Sequence, residues 1–126
     1  MQKVKKKVSF TMIISEMRLS KAVETLYPKF QNIIGKIEGE YSIYILPNNG
    51  LCYVGIPKTH KLNNHSNYRD IPIKCHGGLT FAGKRSFTDK WCFGWDYLHL
   101  GDEFPPIDYL HNEAKDVINQ LKILDR

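Results

Sequence analysis

The sequence predicts an α+β fold: a mostly antiparallel sheet with an N-terminal helical segment and a C-terminal amphipathic helix packed on one face. Three observations predict it. Short runs of β-branched and aromatic residues (Tyr41–Leu46, Leu51–Ile56, Trp91–Trp95) are separated by turn residues. Leu110, Ala114, Val117, Ile118, Leu121 and Leu124 recur at helical spacing. Leu19, Val23, Leu26, Phe30, Ile33 and Ile34 do the same nearer the start.

Lys5 to Ile14 reads as a first strand. Ser20 is placed to cap the helical stretch from Leu19 to Ile34, Pro28 to kink it, and Gly35 and Gly39 to end it. Tyr41 to Leu46 and Leu51 to Ile56 then form a hairpin about the turn Pro47-Asn48-Asn49-Gly50. Pro57 to Asp70 is polar and aperiodic, and a loop of that length suggests a mobile segment that closes over a ligand. Ile71 to Cys75 and Leu79 to Ala82 read as short strands around Gly77-Gly78, and Lys84 to Lys90 as a second polar loop. After the strand Trp91 to Trp95, residues Asp96 to Pro106 are irregular. Asp108 stands where it would cap the last helix.

A length of 126 residues with 42% hydrophobic content suits a single domain, 1–126, whose residues 1–7 read as a basic, disordered tail. Lysine and arginine number 18 against 13 acidic residues, a net charge of +5, and much of the excess is Lys3, Lys5, Lys6 and Lys7. Such a terminal run is more often solvated than bound, so nucleic acid is not the expected partner and the run is expected to be dispensable. No apolar run approaches bilayer length and no secretory pattern is present, so a cytoplasmic protein without a membrane partner is expected. The odd number of cysteines (Cys52, Cys75, Cys92), without CxxC spacing, reads as reduced and buried thiols.

The densest chemistry lies in Lys74–Gly83 and Trp91–Asp102. Gly78 to Lys84 has the spacing of a phosphate-binding P-loop, but Arg85 replaces the Ser or Thr that would hold magnesium, and no helical stripe follows. His76, Asp96 and His99 are candidate catalytic residues and candidate metal ligands, with His60 and Asp102 further donors of the same kind. They are expected to reach one pocket. The competing explanation is that they hydrogen-bond loop backbone. Lys58, His60, Tyr68, Arg69, His76, Gly77, Gly78, Thr80, Asp96, His99 and Asp102 form the expected ligand-binding set. It joins cations and a stacking ring to glycine-lined backbone. Trp91, Phe93 and Trp95 share one face, where large aromatics are usually core. Gly94 opposite them allows close approach. Cys75 and His76 point to opposite faces and make no nucleophile–base pair.

Tyr53-Val54-Gly55-Ile56-Pro57-Lys58-Thr59-His60, Asp70-Ile71-Pro72-Ile73, Cys75-His76-Gly77-Gly78-Leu79-Thr80 and Phe93-Gly94-Trp95-Asp96-Tyr97-Leu98-His99-Leu100-Gly101-Asp102, with Glu113 and Gln120-Leu121, resemble a family of small tailed-phage and prophage proteins of unassigned function. The resemblance spans residues 41–122. It departs after His60, where the family tends to Pro-Leu-Tyr and this chain has Lys61-Leu62-Asn63. It implies a viral origin and the cytoplasm of a host cell, but no chemistry. Three functions are expected from it and the residues together. The first is binding of a nucleotide-like small molecule, sequestering a host defence signal. The second is metal- or His/Asp-dependent hydrolysis of a phosphodiester or nucleotide. The third is inhibition of a host enzyme through an exposed aromatic patch. A homo-oligomer is compatible with each.

Overall fold

A computed structural model describes residues 32–126. The expected strand over residues 5–14, the lysine run and residues 19–31 of the expected helix lie outside the described residues. The end of that helix is corrected. Ile34 opens a strand, β1 (Ile34–Glu38), and Gly35 lies within it rather than ending a helix. β1 is exposed along most of its length, with Ile37 74% exposed, so it carries no buried alternation to reveal it.

The chain turns into β2 (Tyr41–Leu46), passes a 3-10 turn at Pro47–Asn49 and returns as β3 (Leu51–Ile56). Gly50 closes that turn in the left-handed region, φ +66°. β4 (Phe81–Lys84) and β5 (Trp91–Asp96) form a second hairpin, and α1 (Ile107–Leu124) ends the fold. Among the described residues the sheet has five antiparallel strands in the order β1-β2-β3-β5-β4. Lys84 lies in β4, so the P-loop spacing opens no helix. Asp108 sits inside the first turn of α1; the capping position is Pro106, without a side-chain cap.

The alternation of each strand assigns the two faces. Ile43, Ile45, Cys52, Val54, Ile56, Phe93 and Trp95 pack against Leu110, Ala114, Val117, Ile118 and Leu121 of α1. Tyr44, Leu46, Tyr53, Phe87 and Cys92 form a smaller cluster on the opposite face. Gly94 is required there. A Cβ at this position would stand 2.5 Å from the Tyr53 ring and 3.1 Å from the Cys52 carbonyl. The close approach that Gly94 permits is therefore that of the neighbouring strand's tyrosine.

Cys52 and Cys92 are buried, Cys75 is half-buried and all three are free thiols. Burial pushes each thiol up to about 12. Labelling with a bulky thiol reagent is expected to modify Cys75 first and to reach Cys52 and Cys92 only on unfolding. Simultaneous fast labelling of all three would contradict the packing.

Residues 57–80 leave β3, run along α1 and return to β4. The 57–70 segment, expected as a mobile loop that closes over a ligand, makes hydrogen bonds to α1 and to β5. His60 is 3% exposed, its Nε2 lies 2.8 Å from the Leu121 carbonyl and its Nδ1 accepts from Leu62 N. Lys61 N donates to Asp125, and Trp91 Nε1 donates to the His65 carbonyl. Successive turns close at His60, Asn63, His65 and Asp70. Ile71–Cys75, expected as a strand, pairs with no strand among the described residues. Instead the Gln120 side chain takes both backbone groups of Lys74, accepting from N at 2.7 Å and donating to O at 2.8 Å. Among the described residues, no helix is long and apolar enough to cross a membrane.

Candidate functional site

The register of β3 and β5 places the site. Asp96 ends β5 opposite Leu51, whereas Trp91 begins it opposite Ile56. The turn after Asp96 and the turn at 75–78 therefore meet at one end of the sheet. The 57–70 loop meets the other end, beside Trp91 and Leu121. α1 spans the two ends, rising about 12 Å from Glu113 to Leu121.

At the Asp96 end, one carboxylate holds two imidazoles. Asp102 Oδ1 lies 2.9 Å from His76 Nε2, and Oδ2 lies 3.2 Å from His99 Nδ1 while accepting from His99 N at 3.0 Å. Asp102 N donates back to the His99 carbonyl, closing the turn. The hydrogen bond from His76 and those from His99 hold the Asp102 carboxyl below the usual carboxylate range, against a smaller opposing effect of burial. An ionised carboxylate only accepts, so the network assigns ring hydrogens to His76 Nε2 and His99 Nδ1. In the neutral ring His99 Nε2 is then the basic atom. The His99 side chain is 53% exposed, so this base is open to solvent.

Asp96 stands beside them. Its Oδ1 is 3.7 Å from His99 Nδ1 and accepts from Leu98 N, while Oδ2 accepts from Thr80 Oγ1 at 2.9 Å. Gly77, at φ +71°, brings the 75–78 turn against His99; a Cβ there would stand 3.0 Å from His99 Cε1. Gly78 N closes the same turn on the Cys75 carbonyl.

Beneath the cluster lies a second layer. The His76 ring stacks on Tyr97, with centroids 4.0 Å apart and planes 7° from parallel. Glu113 of α1 gathers three donors: Tyr97 OH at 2.7 Å, Trp95 Nε1 at 3.0 Å and His76 N at 2.9 Å. Burial and the Glu113 hydrogen bond push the Tyr97 phenol far above its ordinary value. It therefore stays a neutral donor.

The structure thus brings together His76, Gly77, Gly78, Thr80, Asp96, His99 and Asp102. It does not bring Lys58, His60, Tyr68 and Arg69 to them. Those four belong to the loop at the other end, where His60 is buried against α1 and Arg69 lies 4.8 Å over its neighbour Tyr68. Glu113 and Tyr97 were missing from the expected set. Glu113 had a readable signal. It lies three residues after Leu110 and four before Val117, which puts a carboxylate on the apolar stripe of α1.

His76, His99 and Asp102 each offer one ligand atom, and these atoms lie within 4.8 Å of one another. Imidazole and carboxylate in this arrangement can move a proton to or from water or hold a cation. Compared with known proteins, the chain matches no family model, and no curated protein and no solved structure is significantly similar to it.

Proposed function

We propose that the protein is a hydrolase of a small phosphodiester or nucleotide, with His76, His99 and Asp102 as the groups that activate water. One observation carries this reading: a single carboxylate orients two imidazoles, one of them open to solvent, where loops gather at one end of the sheet. In the reaction, water attacks phosphorus as its proton passes to a base in this cluster. The P–O bond to the leaving group breaks, and that oxygen takes up a proton. Asp102 fixes the ring orientations throughout.

Sequestration without chemistry is the weaker reading. Its cationic arm, Lys58 and Arg69, stands at the far end of the sheet, by Trp91. The enzyme-inhibitor reading would use Leu98 and Leu100, exposed at 66% and 105% beside His99. The resemblance to phage proteins would place the activity in the cytoplasm of an infected cell.

Incubation with a panel of mononucleotides, dinucleotides and cyclic oligonucleotides tests the proposal. Product is expected from the native chain and not from a His99→Ala variant. Ligand recovered intact after denaturation would establish sequestration instead. Neither product nor bound ligand would overturn both.

A further inference from the structure

We infer that His76, His99 and Asp102 form a three-ligand site for a divalent transition metal of the zinc or manganese type. The site is inferred from geometry alone; only its use in water activation rests on the hydrolase reading. Two imidazoles and one carboxylate are a donor set that suits zinc, manganese or iron and leaves coordination positions for water and substrate. Magnesium and calcium prefer all-oxygen shells.

The distances fit. Ligand atoms about 2.0–2.2 Å from a metal lie roughly 3.0–3.5 Å from one another. Asp102 Oδ1 stands 2.9 Å from His76 Nε2 and its Oδ2 3.2 Å from His99 Nδ1, and a metal bound there would displace the two ring protons. The widest separation among the three ligand atoms is no more than 4.8 Å, so closure requires a shift of about 1–2 Å. His99 can make that shift, because its side chain is more than half exposed. His76 need not move. Its ring is stacked on Tyr97, its backbone N is held by Glu113, and Glu113 also fixes the Tyr97 hydroxyl. Glu113 and Tyr97 are therefore positioning residues for one ligand.

The chemistry also asks for a cation here. A phosphoryl group carries negative charge that grows in the transition state, and Lys58 and Arg69 are remote from the water-activating cluster. A divalent ion held by His76, His99 and Asp102 would neutralise that charge and lower the pKa of a bound water in one step. Binding must weaken on acidification, since a protonated imidazole cannot ligate.

Titration of the full chain, freed of metal by chelation and dialysis, with Zn2+ or Co2+ is the test, followed by calorimetry and by the visible absorption of cobalt. One equivalent is expected to bind, with cobalt bands of an imidazole–carboxylate site, while Mg2+ gives no comparable heat. His99→Ala changes an exposed side chain and should fold normally; it is expected to weaken binding at least 10-fold. Glu113→Gln is expected to weaken it by about 10-fold or more while leaving one equivalent bound. His65→Ala, at the other end of the sheet, should bind like the native chain. Absence of stoichiometric binding, or equal affinity in His99→Ala, would overturn the site. Metal bound without turnover of any panel member would overturn the hydrolase reading and leave the site standing. Turnover undiminished in chelator would do the reverse.

Discussion

Glu113→Ala is expected to cost about 3 kcal/mol or more of stability, because three donors lose their acceptor together and each unsatisfied buried donor costs about 1–3 kcal/mol. Trp95, whose indole N–H is one of them, is 1% exposed, so water cannot simply take the place of the carboxylate. Glu113→Gln keeps an oxygen for Tyr97 and Trp95 but turns an amide toward His76 N, and should fall between the two. Urea denaturation checks this: the midpoint should fall in the order native, Gln, Ala at a nearly constant slope. An alanine variant with native stability would show that Trp95, Tyr97 and His76 find other acceptors, and would remove Glu113 as a support of the site.

Asp102→Ala is expected to lower the proposed hydrolysis by about 10²–10⁴-fold, the usual range for loss of an oriented acid–base group. The same substitution has a defined pH signature. The folded pKa of Asp102 is depressed, so its contribution to stability is complete above the unfolded carboxyl value of about 4 and disappears as pH falls through the folded value. The stability difference between native and Asp102→Ala chains should therefore shrink in acid below about pH 4. A difference that instead grew below about pH 4 would mean the folded carboxyl value is raised rather than lowered, and would contradict the His76–Asp102–His99 arrangement.

The parts of the fold that were legible in the sequence are those where local pattern and tertiary demand coincide. The β2–β3 hairpin has its expected bounds, because Tyr41–Leu46 and Leu51–Ile56 alternate between two buried faces and Gly50 supplies the left-handed residue of the turn. α1 was readable from one apolar stripe. β1 was not, since an exposed edge strand with Gly35 and Lys36 has no face to declare. Ile71–Cys75 looks like a strand because it is half apolar; within it the Lys74 backbone is bonded by the Gln120 side chain, which no strand pattern encodes. For the site, His76, Asp96, His99 and Asp102 were visible as residue types unneeded by a plain core. Lys58 and Arg69 were grouped with them because the 57–70 loop was expected to close over the site. The β3–β5 register separates them, and a register between segments distant in sequence cannot be read from local pattern.

That β3–β5 register also sets an order of events for the growing chain. The β1–β2–β3 meander closes through short turns, so its pairing can form as soon as Ile56 is made. β5 pairs Leu51 with Asp96 across the whole intervening segment, a long loop whose closure entropy is repaid only by late contacts. The acceptor that gathers Trp95, Tyr97 and His76 belongs to α1, synthesised after all of them. A nascent chain that ends before Glu113 can hold a hairpin sheet but lacks the acceptor for His76 N, Trp95 and Tyr97. A truncation before Glu113 should therefore yield a partly ordered product without the proposed activity.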